Sequence, residues 1–186
     1  MITDREREAA VDRLTRSQQV LLEAVDGLSD TQAQWDPPPL PECKSGRWSI
    51  LEYVEHLAVA DGELVALVER SLRKPAQPET DEQRKAREQR IRETPMPRGV
   101  NHAPPALQPE ARFESLEQAV AAFLAARERT LEYARTTQAQ LREHFTDHPV
   151  LGAMDGYQWL VANARHVESH ASHIKEIRAL PGFPAS

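Results

Sequence analysis

Apolar residues return at helical intervals in four long stretches of this chain, and proline-rich or turn-rich links separate them. Over residues 5–28, Val11, Leu14, Leu21, Val25 and Leu28 share one face, with Leu22 beside them. The prolines of "LSDTQAQWDPPPLPECKSG" cannot continue a helix, so this stretch predicts an ordered loop, or a short helical turn and then loop. Ser49 and Glu52 have the spacing of a capping box, in which both side chains satisfy free backbone N–H groups. The second helix starts there and carries Leu51, Val54, Leu57, Ala58, Leu64, Val65 and Val68 on one arc, ending near Leu72. Ser115 and Gln118 open a third helix, with Leu116, Ala119, Val120, Phe123, Leu124, Leu131 and Ala134 inward. That helix continues, bent or broken, to Leu141. Asp155 and Gln158 open the fourth, which reaches Leu180 and stops at "PGFP".

The links suggest how the helices run. Residues 73–112 hold one short, charged helical stretch between prolines and little periodicity after it. A segment of that length suits a crossover connection, a lid or a partly disordered region. "HFTDHPVLGAM" is a short, turn-rich link between the third and fourth helices. A long link can cross a bundle end to end, whereas a short one joins antiparallel neighbours. Helices two and three are therefore expected to be parallel, with helix four opposed to both. With no strand signal and no internal repeat, the expected fold is an all-α four-helix bundle, a single domain over residues 1–186.

Composition narrows this further. Much of the apolar content is alanine, which favours helix. Aromatic and β-branched residues are too few for a large sheet. The net charge is −6, with both signs dispersed, and "RKAREQRIR" is balanced by nearby glutamates. Nothing here argues for nucleic acid. A lone cysteine, Cys43, excludes an internal disulfide framework and a cysteine-rich zinc site, and it has no base close in sequence. The N-terminus lacks an apolar signal segment, and no stretch nears the roughly 20 apolar residues of a membrane span. A soluble cytoplasmic protein acting on a small molecule is the expectation. An apolar helix face could also pair two copies as a homodimer, although no intersubunit stripe stands out.

The candidate chemistry lies in "RHVESHASHIKEI", which holds three histidines. His166 and His170 are four apart and share a helix face with Trp159, Asn163, His173, Ile174 and Ile177. Arg165, Glu168, Ser172, Lys175 and Glu176 occupy the opposite side. His56 borders the apolar arc of helix two, about 10 Å past its cap at 1.5 Å per residue. An antiparallel helix four places His170 near that level, and a parallel one places Asn163 or His166 there. Three imidazoles from two helices suit a divalent ion, and they leave a position for water or substrate. The alternative is a set of core histidines hydrogen-bonded to Asp61, Asn163 or glutamates. Glu52 caps its helix or orients His56. Asp61, inside an apolar arc, is either a carboxylate behind the histidines or half of a buried ion pair. Asn163 binds substrate or satisfies a polar core group. Trp48 and Trp159 read as packing anchors, and His102, His144 and His148 as loop residues.

"GRWSILEYVEHLAVADGEL" and "HPVLGAMDGYQWLVANARHVESHASHIKEI" together resemble the DinB-like (DinB/YfiT-like) superfamily of metalloenzymes. The shared pattern is W-S, a helical run and a histidine, and much later H-x-x-x-H. The resemblance implies an up-down-down-up bundle with a long connection between helices two and three. It also implies a divalent-metal site of His56, His166 and His170, with zinc or nickel first and iron or cobalt next. His173 departs from the pattern, standing where glutamine is frequent. It is a candidate for an alternative ligand, a substrate contact or a donor behind the ligands. Relatives include S-transferases and isomerases that use low-molecular-weight thiols such as bacillithiol or mycothiol. The resemblance therefore puts a thiol-dependent S-transferase with a thiol cosubstrate ahead of a metal-dependent hydrolase. A non-catalytic, stress-related metal-binding or interaction protein is the further alternative. No residue stands out as a dedicated general base.

Overall fold

The computed structural model describes residues 1–39, 47–95 and 103–185. Cys43 and His102 lie outside the described residues. The elements in chain order are α1 (Asp4–Val25), α2 (Asp30–Ala33), α3 (Ile50–Leu72), α4 (Asp81–Glu93), a 3-10 turn (Pro105–Leu107), α5 (Leu116–Thr136), β1 (Phe145–His148), β2 (Gly152–Asp155) and α6 (Gly156–Arg178). The expected caps form: Ser49 with Glu52 on α3, Asp155 with Gln158 on α6, and Ser115 accepting from the Gln118 N–H on α5.

α1 packs on α5 and α6, and α3 packs on the same two helices from the other side. Arg7, near the start of α1, donates to the carbonyls of Ala134 and Arg135 at the end of α5, so that pair is antiparallel. Arg178 at the end of α6 donates to the Ala24 carbonyl at the end of α1, so those two are parallel. Val68 near the end of α3 meets Gly156 at the start of α6, while His56 nearer the start of α3 meets His166 farther along α6, so α3 is antiparallel to α6 and runs in the same direction as α5. The result is the up-down-down-up bundle that the resemblance implies, with the two middle helices parallel as the link lengths suggest. Gly156 opens α6 where it crosses the end of α3. A β-carbon there would stand 3.1 Å from Val68 and 3.0 Å from Leu141.

The core has two apolar layers. One contains Leu21, Trp48, Ile50, Val54, Leu57, Phe123, Val167 and Ile174. The other contains Leu14, Leu64, Val68, Leu131, Leu141 and Leu160. Between them lies a polar band. Arg127 is fully buried and donates to Asp61 at 2.5 Å, to the Ser17 hydroxyl and to the Leu14 carbonyl. Thr130 and Asn163 donate to the same Asp61 carboxylate, at 2.8 and 3.0 Å. A buried charge is tolerable only when paired and hydrogen-bonded, and this one is both.

Three details differ from the sequence reading. α1 ends at Val25, because the chain turns at Gly27 with φ +69°. α5 ends at Thr136, yet Leu141 is still fully buried: its apolar signal marks burial and not helix. The turn-rich link holds a small antiparallel hairpin, Phe145 opposite Asp155 through His148 opposite Gly152. The long connection is a crossover that carries α4. Arg87 of α4 binds Asp155 at 2.8 Å and Gln158 at 3.0 Å, and also Glu79. Arg90 donates to the carbonyls of Leu151 and Ala153 on the hairpin. Among the described residues, no helix is long and apolar enough to cross a membrane.

Candidate metal centre

The Ser49 cap fixes where α3 begins, and with it the level of His56. His166 and His170 stand on successive turns of the antiparallel α6. Their three ligand nitrogens lie within 4.8 Å of one another. His56 Nε2 is 3.1 Å from His166 Nε2, and His170 Nε2 is 2.8 Å from the same atom. His56 thus meets both histidines of α6, its ring centroid 5.0 Å from each. His56 is buried at 3% exposure, while His166 and His170 keep part of their surface accessible. Trp48 packs against His56 with ring centroids 4.8 Å apart, and Tyr53 against His170 at 5.1 Å.

His56 Nδ1 lies 2.8 Å from the Leu107 carbonyl oxygen, which can only accept. The proton is therefore on Nδ1, and in the neutral ring Nε2 is a bare lone pair aimed at the other two histidines. His166 Nε2 has two nitrogen neighbours but only one proton or one lone pair to offer. Proton placement alone cannot satisfy both contacts, whereas one cation among the three nitrogens does. Burial lowers the pKa of all three rings. His166 is pushed down to about 3, with repulsion from His56 adding to desolvation. His170 lies well below the usual value for the same reasons, and His56 is lowered by burial. Neutral imidazole is the form that ligates. The residues present fit a divalent ion.

The remaining candidates are placed as follows. Glu52 accepts the Ser49 N–H at 2.7 Å and serves the cap. Asp61 and Asn163 are engaged with each other in the polar band. His173 is half-buried beside the cluster, its ring 5.6 Å from His170 and 5.8 Å from Tyr53. Trp159 packs on His148, whose Nδ1 accepts the N–H groups of Val150 and Leu151. His144 Nδ1 donates to the Lys74 carbonyl.

Sequence reasoning passed over Glu55. It is 1% exposed and accepts from the backbone N–H of Glu110 and Arg112 and from the Arg112 guanidinium. The signal was present: Glu55 lies between Leu51 and Ala58 on the apolar arc, where a solvated glutamate does not belong. Leu107 gave no signal, because its contribution is a backbone carbonyl delivered by a turn.

The bundle topology and the three converging imidazoles define a helical-bundle protein with a metal-type histidine cluster. The DinB superfamily profile matches residues 13–174, and the chain belongs to that superfamily. Its fold is similar to that of YfiT from Bacillus subtilis, described as a probable metal-dependent hydrolase with an unusual four-helix bundle topology. The likeness has a TM-score of 0.60 at 18% identity and covers 96% of this chain and 89% of YfiT. A conserved protein from Enterococcus faecalis is similar with a TM-score of 0.58 at 13% identity, over 92% of this chain and 94% of that one. No curated protein matches the sequence.

The YfiT description corrects the ranking of a transferase ahead of a hydrolase, which rested on family resemblance alone. Three neutral nitrogen donors by themselves select neither thiol nor water.

Proposed function

We propose that this protein is a metal-dependent hydrolase of a small molecule, with its ion held by His56, His166 and His170. The observation that carries the reading is the convergence of three Nε2 atoms, one of them fixed as a lone pair by the Leu107 carbonyl. Zinc or nickel suits three imidazoles best, with iron or cobalt next. When bound, the ion would supply Lewis acidity that makes water a nucleophile near neutral pH and polarises the substrate oxygen.

The chain's own residues supply the setting. Leu107 sets the tautomer and direction of His56. Trp48 and Tyr53, both buried, pack against the rings of His56 and His170. His166 and His170 are only partly buried as residues, so the site is not sealed from a substrate. His173 presents a further ring beside His170, suited to a hydrogen bond with substrate. Asn163 is held by Asp61 and braces the turn of α6 before His166 rather than meeting substrate.

The test is a panel of ester, amide and phosphoester substrates with chelator-treated and zinc- or nickel-reconstituted protein, no thiol being added. The expected result is hydrolysis that needs the metal, needs no thiol and disappears in His166→Ala. Turnover that appears only when a low-molecular-weight thiol is added, with a thioether product, would contradict the proposal.

A further inference from the structure

Between Pro104 and Arg112 the crossover folds into a hook over the end of the site. The Leu107 N–H bonds the Pro104 carbonyl, and Gln108 Nε2 bonds the Ala103 carbonyl. Arg112 donates to the Gln108 carbonyl at 2.9 Å and to Glu110 at 2.8 Å. The hook touches α3 through polar groups at two adjacent residues. Its Leu107 carbonyl receives His56 Nδ1–H, and its far limb binds Glu55.

The Glu55 carboxylate takes the N–H groups of Glu110 and Arg112 at 2.7 and 3.1 Å, and the Arg112 guanidinium at 2.7 Å. Ala111, between those two N–H groups, has φ +56°, a left-handed conformation that its β-carbon disfavours. That conformation aims both neighbouring N–H groups at one carboxylate. A buried carboxylate with three donors is a strong, directional anchor. The strained residue is thus explained by the bonds it makes available.

We propose that Glu55 is a positioning residue for His56, resting on the reading of His56 as a ligand. By fastening the hook to α3, Glu55 holds the Leu107 carbonyl where it keeps the His56 proton on Nδ1. Without the anchor the carbonyl drifts, the ring gains access to its other tautomer, and the lone pair toward His166 and His170 is lost. Hook conformation and ion affinity are then coupled, and loosening the hook weakens the hold on the ion.

The experiment uses the full chain in two forms. In the metal-free form, nitrogen NMR of 15N-labelled histidine reads the His56 tautomer, assigned with His56→Gln. In parallel, titration with Co²⁺ alone reads affinity. Glu55→Gln keeps the size but replaces one accepting oxygen by an N–H₂ group. It should move His56 from the Nδ1–H signature toward a mixture and weaken Co²⁺ binding about 10- to 100-fold. Arg112→Ala removes one of the three donors and should act in the same direction, less strongly. Val68→Ala, in the far apolar layer, lowers stability and should leave both readouts as they are.

An unchanged tautomer with unchanged Co²⁺ affinity in Glu55→Gln would overturn the proposal. Equal losses in Val68→Ala would do the same, by making the effect one of general stability. If Glu55→Gln does not fold, Arg112→Ala decides, and no change there overturns it. If wild-type protein takes up no Co²⁺, Zn²⁺ and Ni²⁺ take its place in the affinity titration, and the tautomer comparison still decides the role of Glu55.

Discussion

At the scale of single residues, the site depends on which nitrogen carries a proton. His56 is buried and its Nδ1 is committed to the Leu107 carbonyl, so its Nε2 has no role to fill among the described residues except as a lone pair toward His166. His173 is adjacent without belonging to the group of three converging nitrogens. His173→Ala should accordingly keep its metal content and lose turnover or raise KM. Elemental analysis beside a rate assay checks this, and loss of the ion would make His173 a ligand. These histidines were legible in the sequence because spacing on a helix fixes which face a side chain takes. Glu52 was legible as a cap for the same reason. Glu55 and the Leu107 carbonyl were not. Their partners are 55 and 51 residues away, across a connection whose path no local pattern encodes.

At the scale of elements, the polar band decides how α3, α5 and α6 align. Asp61 gathers Arg127, Thr130 and Asn163, one group from α6 and two from α5. Asp61→Ala leaves Arg127 charged and unpaired in the core and should cost about 3–5 kcal/mol. Asp61→Leu with Arg127→Met should cost less than either single change, since no charge is left behind. Urea denaturation of the four variants measures this, and a double mutant as unstable as the singles would refute it. The charged helix α4 is secured differently, by Arg87 on Asp155 and Gln158. Arg87→Ala should therefore speed proteolytic cutting within residues 73–95 while the bundle stays folded. The long helices were readable from apolar periodicity. The hairpin was not, because its strands are four residues each and "HFTDHPVLGAM" reads first as turns. Phe145, Thr146 and Met154 around Pro149 and Gly152 were the available signal.

At the scale of the whole molecule, burial of the histidines links folding to pH and to metal. In the metal-free chain the folded pKa of His166 is about 3 against 6.5 for an ordinary histidine. Between those values the unfolded chain binds more protons than the folded one, so stability increases with pH. It should be complete above pH 6.5 and decline as pH falls toward 3, with His170 and His56 acting in the same sense. Thermal melts of chelated protein across that range check the sign, and a flat profile would contradict it. An ion that binds only the folded chain raises Tm by mass action. Added zinc or nickel should do so for the wild type and not for His170→Ala.

The most direct measurement of the central claim is metal content. Untagged protein purified without chelator would be compared with His56→Ala and His170→Ala by elemental analysis. The account predicts about one divalent ion per chain in the wild type and loss in both variants, since each removes one of three donors. Wild-type protein that carries no ion, and takes up none when zinc, nickel, iron or cobalt is supplied, would contradict it.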